Sequence, residues 1–95
     1  MPKYYDFKVA GYYLYFTTHC IVECMHVHAS DNELSEPGSA KFFVKGNGDT
    51  IVKDRGRLKD KEILKIQHFI KDNYEEMYQT WSIWSNKGYY LGKNN

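Results

Sequence analysis

The sequence predicts an α+β domain: a small antiparallel sheet of about three to five strands, packed by a C-terminal amphipathic helix or kinked helix pair. Three observations carry this. Apolar and polar residues alternate from Tyr4 to Val9 and again through Met25-His26-Val27-His28-Ala29, the period of a half-buried strand. Gly46-Asn47-Gly48-Asp49 lies between two β-rich runs, and Asn-Gly in that position is a hairpin signal. Beyond Arg55-Gly56-Arg57 the period lengthens, and Ile63, Ile66, Phe69, Ile70, Tyr74, Met77 and Trp81 recur at three- and four-residue steps as one helical stripe.

Taken in order, Tyr4–Val9 forms a first strand with Tyr5, Phe7 and Val9 on one side. Ala10-Gly11 is a tight turn, and Tyr12–Thr17 a second strand whose outer face carries Tyr13 and Tyr15. A loop over 18–24 leads into the strand Met25–Ala29, where alternation sends Met25, Val27 and Ala29 inward and His26 and His28 outward together, onto an open sheet face. The segment 30–39, with Asp31-Asn32 and Pro37-Gly38, is a loop; Ala40–Lys45 and Thr50–Asp54 are the arms of the Asn-Gly hairpin. The helical region runs from about Asp60 to Ser85. Asp60 is its expected N-cap, and Asn73 with Glu76 resembles a capping box that would split it in two. Gly88 ends it. Residues 1–88 form a single domain and 89–95 a loosely held tail.

The composition narrows the function classes. Thirteen Lys and Arg against twelve Asp and Glu leave a formal charge of +1, too small a field to draw in nucleic acid or anionic membrane as a whole. No long apolar run and no leader pattern is present, which points to a cytoplasmic protein without membrane contact. Two cysteines, Cys20 and Cys24, in such a chain do not make a disulfide scaffold. Nine tyrosines and five phenylalanines exceed what a core this small needs, so aromatic surface at a partner interface is expected, centred on Tyr13, Tyr15 and Phe43.

Gly11, Tyr15-Phe16-Thr17-Thr18-His19, His26-Val27-His28-Ala29, and Asn73-Tyr74-Glu75-Glu76-Met77 followed by Trp81 resemble the motifs of a small bacterial family, the domain-of-unknown-function 4160 family. The resemblance covers most of residues 1–85. It departs where the family has Asp before its first His, here Thr18, and a Pro-Pro pair before His-x-His, here Cys24-Met25. Without the two prolines the loop is expected to be less rigid. The resemblance implies a family of unassigned biochemistry whose members are often encoded beside another small protein, hence an interaction component of a toxin–antitoxin-like two-gene module.

The histidines are the candidate chemical group. His26 and His28, two residues apart on a strand, present both rings to one face, and His19 can add a third nitrogen. One use is acid–base cleavage of RNA without a metal, with His26 and His28 exchanging protons and His19 assisting. Another is a zinc site on His19, His26, His28 and Cys24, although the spacing matches no standard finger. The plain alternative is hydrogen-bonded strand polarity. Arg55, Arg57, Lys59 and Lys61, in a basic stretch extending from Lys53 to Lys65, would hold a phosphate backbone or form a solvated charged loop. Trp81 and Trp84 are expected in or at the edge of the core. No phosphate-binding glycine loop and no Ser or Cys nucleophile motif is present.

Overall fold

The computed structural model describes residues 3–17, 23–31 and 38–91. Four strands, β1 (Tyr13–Tyr15), β2 (His26–Ser30), β3 (Ala40–Val44) and β4 (Thr50–Asp54), precede one helix, α1 (Asp60–Trp84). The strands form an antiparallel sheet in the order β1-β2-β3-β4. The α+β class and the helix-covered sheet follow the sequence pattern.

The hairpin turns explain why the strands lie where they do. Ala10 and Gly11 both have positive φ, 55° and 92°, and close a pair of bonds between Val9 and Tyr12, N–H to C=O at 2.7 and 3.0 Å. Two successive left-handed residues match the twist of the chain on either side. At the β3–β4 hairpin the Lys45 N–H donates to Asp49 O at 2.8 Å, and Gly48 takes φ 91°. A Cβ there would lie 2.6 Å from the Tyr74 ring, so both conformation and space require glycine.

The first expected strand does not join the sheet as a ladder. Among the described residues its backbone pairs through isolated bridges, Lys3 with Tyr15 and Val9 with Tyr12, and not through a ladder. Tyr4 packs inward, its hydroxyl donating to His26 O at 2.9 Å and its ring 5.2 Å from Phe16, whereas Tyr5 stacks on Phe7 at 4.9 Å and meets the Phe69 edge at 5.3 Å, and the Tyr5 hydroxyl donates to Glu76. The alternation did not identify the core side: Tyr4, on the side opposite Tyr5, Phe7 and Val9, is the buried residue of this segment, and Phe7 is 53% exposed.

Leu14, Val27, Ala29, Ala40, Phe42 and Val44 form the buried inner face of the sheet, and Ile63, Ile66, Ile70, Met77 and Trp81 the buried stripe of α1. The helix is continuous over 25 residues. Asn73 is mid-helix, its side-chain amide donating to Phe69 O at 2.9 Å, so the capping box expected at Asn73 and Glu76 is absent and no kinked pair forms. The N-cap is Lys59 rather than Asp60, and Glu62 accepts the Lys59 N–H at 2.9 Å and the Tyr12 hydroxyl at 3.0 Å. Beyond the helix, the Met25 N–H donates to Gly88 O at 2.9 Å, Tyr89 stacks on Tyr78 at 4.3 Å, and the Tyr90 N–H donates to Val44 O at 2.8 Å. The expected loose tail is therefore anchored at Tyr89 and Tyr90; residues 92–95 lie outside the described residues.

Candidate functional site

The strand pairing places Tyr15, His28 and Lys41 side by side across β1, β2 and β3, with His26 and Phe43 next along the same face. The Tyr15 ring stacks on His28 at 5.4 Å, and His28 meets the His26 ring edge-on at 5.1 Å. The sequence reading that both histidines share one face is therefore correct, but the expected openness of that face is not. Tyr15 and His26 have no exposed surface, and His28 is 4% exposed.

Named neighbours account for part of this closure. Trp81, at the last turn of α1, comes within 5.6 Å of the His26 ring, and Tyr90 stacks on Phe43 at 4.6 Å. Phe43 and Tyr13 are half-buried, with the Lys3 ammonium 4.4 Å from the Tyr13 ring centre. The expected Tyr13–Tyr15–Phe43 interface thus has a fully buried centre, because these aromatic groups find partners within the chain.

Burial sets the electrostatics. His26 and His28 are each held down to about 4, first by loss of water, with mutual repulsion adding at His26 and the Lys41 ammonium at both. Both imidazoles are neutral at pH 7. His26 Nδ1 lies 2.9 Å from Cys24 O, which makes Nδ1 the protonated nitrogen and leaves a lone pair on Nε2. That buried Nε2 has no hydrogen-bond partner among the described residues. Glu23 Oε1 stands 3.8 Å from the same Nδ1 and 2.9 Å from Lys41 Nζ, and the bond to Lys41 holds its carboxyl below the usual range. Neither Glu23 nor Lys41 stood out in the sequence, since their meeting depends on the β2–β3 register.

The other expected site residues separate. His19 and Cys20 lie outside the described residues. Cys24 is half-buried with its thiol pushed up by burial, and among the described residues no group of three or more His, Cys, Asp or Glu is placed to hold a metal ion. Arg55 pairs with Asp60 and reaches Leu58 O, while the Arg57 N–H donates to Gly38 O at 3.2 Å. Lys59, Lys61 and Lys65 line a cavity of about 440 Å³ with Ala10 and Glu62. His28 instead lines a smaller cavity of about 200 Å³, beside Ser39, Lys41, Lys53 and Asp54. Of the basic stretch from Lys53 to Lys65, it is Lys53 and not Arg55–Lys61 that joins Lys41 in lining this cavity.

A second feature, unmarked in the sequence, is the outer edge of β4. Ile51 and Val52 are 41% and 37% exposed, and Leu64 on α1 is 56% exposed. Ile51 and Leu64 belong to a groove of about 480 Å³ between β4 and α1, with Lys45, Asp49, His68 and Lys71 also along its walls. Recognising β4 as the last strand of a meander would have marked it as an edge.

These features define a small meander-plus-helix α+β domain with a closed histidine face and an open sheet edge. The chain belongs to the DUF4160 family, described as a domain of unknown function, whose model matches residues 11–82. No curated protein and no solved structure matches it. No helix among the described residues is long and apolar enough to cross a membrane.

Proposed function

We propose that this chain is the interaction component of a small two-component module of the toxin–antitoxin kind, its partner being the product of an adjacent gene. The observation that carries the reading is the apolar β4 edge beside an open groove. Ile51, Val52 and Leu64 expose large apolar side chains on adjoining elements, while the aromatic surplus that first suggested an interface is mostly absorbed internally. Co-expression with the adjacent gene's product, followed by size-exclusion chromatography, is expected to give one stoichiometric complex. A chain that stays monomeric in the presence of that product overturns the reading.

A second reading rests on His26. Its Nδ1 is oriented by a backbone carbonyl and its Nε2 carries a lone pair, the arrangement of a metal-ligating imidazole or of a general base. In this reading His26 acts with His28, and His19 assists. Neutral imidazoles suit a zinc ligand set directly; RNA cleavage needs one of them protonated, which burial opposes until a partner opens the face. Stoichiometric zinc uptake lost in the double variant His26→Ala, His28→Ala supports the metal use. RNA cleavage that survives a chelator supports the acid–base use, and an intact chain that does neither removes the reading.

A further inference from the structure

We propose that β4 receives an additional strand from its partner protein, an extended segment apolar at its centre and acidic at both ends. This rests on the reading of the chain as an interaction component and specifies how the partner binds.

The hydrogen-bond phase of the sheet carries the argument. The Lys45 N–H donates to Asp49 O at 2.8 Å, which makes Lys45 and Asp49 a hydrogen-bonded pair. With the register Val44 to Thr50, Phe43 to Ile51 and Phe42 to Val52, bonded and non-bonded pairs alternate, and Thr50 and Val52 fall at non-bonded positions against β3. Val44 reports the same phase from the other side, since its N–H goes to Met25 O at 3.1 Å. The backbone N–H and C=O of Thr50 and Val52 therefore point away from β3. Among the described residues no strand lies on that side of β4. A bulge beyond Val52 ends the regular edge, so the added strand is short.

Side chains decide the chemistry of the occupant. Lys53 stands near one end of the edge strand and Lys45 near the other, across the hairpin from Asp49, and neither forms an ion pair among the described residues. The nearby acids are engaged: Asp49 holds Lys71 at 2.8 Å, and Asp54 accepts the Gly56 N–H at 2.9 Å. Between the lysines lie exposed Ile51 and Val52, with Leu64 across the groove. Backbone bonds supply register, and acidic ends supply complementarity. A second copy fits less well, because self-pairing about Val52 sets the two Lys53 ammonium groups diagonally across one ribbon.

The probe is a capped nonapeptide with alternating valine and threonine at its centre and two glutamates at each end, compared with its lysine counterpart. The glutamate peptide is expected to shift the Thr50 and Val52 amide resonances and to bind at least about tenfold more tightly. Val52→Pro is expected to remove this binding with an unchanged circular dichroism spectrum, since β3 does not use the Val52 N–H. Equal binding of the two peptides overturns the charge assignment, and binding of neither overturns strand addition. With the adjacent gene's product, a complex indifferent to Val52→Pro also overturns strand addition yet leaves the interaction role standing, whereas no complex removes that role. Concentration-dependent dimerisation abolished by Val52→Pro assigns the edge to a second copy and overturns the partner assignment.

Discussion

Acidification from pH 7 to pH 4 is expected to cost the folded chain about 3 kcal/mol for one buried histidine and up to about twice that for the pair. Unfolded imidazoles titrate near 6.5, whereas His26 and His28 are held to about 4 in the fold. Between those values the unfolded chain binds protons that the folded chain refuses, so stability is full above pH 6.5 and falls as pH drops through the window, levelling below about 4. Glu23, Asp49 and Glu62 add loss of the same sign at lower pH. Their carboxyls are held below the ordinary 4.5, 3.8 and 4.5 by Lys41, by Lys71 and by the Lys59 backbone N–H respectively. Being exposed or partly exposed, they contribute little each. Urea denaturation at pH 7 and pH 4.5, with NMR titration of the imidazole C–H signals, measures both sides of the linkage. Midpoints near 6.5 for both histidines would exclude this account.

Trp81→Ala is expected to cost about 3–5 kcal/mol, enough to unfold a marginally stable domain. The indole is fully buried, meets Phe16 at 5.1 Å and His26 at 5.6 Å, and its Nε1–H donates to Lys87 O at 2.8 Å. It therefore joins α1, the end of β1, the start of β2 and the segment after the helix. Trp81→Phe keeps most of the apolar area but leaves the Lys87 carbonyl without its donor, and about 1–3 kcal/mol is expected for that change. Trp84→Ala is the control: Trp84 is 49% exposed, with its ring centre 6.3 Å from that of Phe16, so a smaller loss is expected. Denaturant midpoints ranked in any other order would show that the junction is not where the fold is held together.

The sequence by itself determined the elements whose signals are local. Period-two alternation placed Val27 and Ala29 inward and put His26 and His28 together on the opposite face, and the three–four period located α1 to within a residue of its end. Gly11 and Gly48 announced their turns because each takes a positive φ that side chains rarely adopt. Which face is open is not a local property. Alternation distinguishes two faces but says nothing of what returns to cover them, and here Tyr90 and Trp81 come back from about forty residues away or more to bury part of the polar face. Tyr5 and Phe7 carried a strand pattern yet meet Phe69 and Glu76 of α1 while Phe7 stays 53% exposed, and the buried residue of the segment is Tyr4, since period-two alternation does not say which side is covered. The Glu23–Lys41 pair beside His26 and the free edge of β4 follow from strand order and register, which are set when the whole sheet assembles. Residue types therefore determined the candidate chemistry, and the tertiary packing alone decided that the histidines are neutral and enclosed and that β4 faces outward.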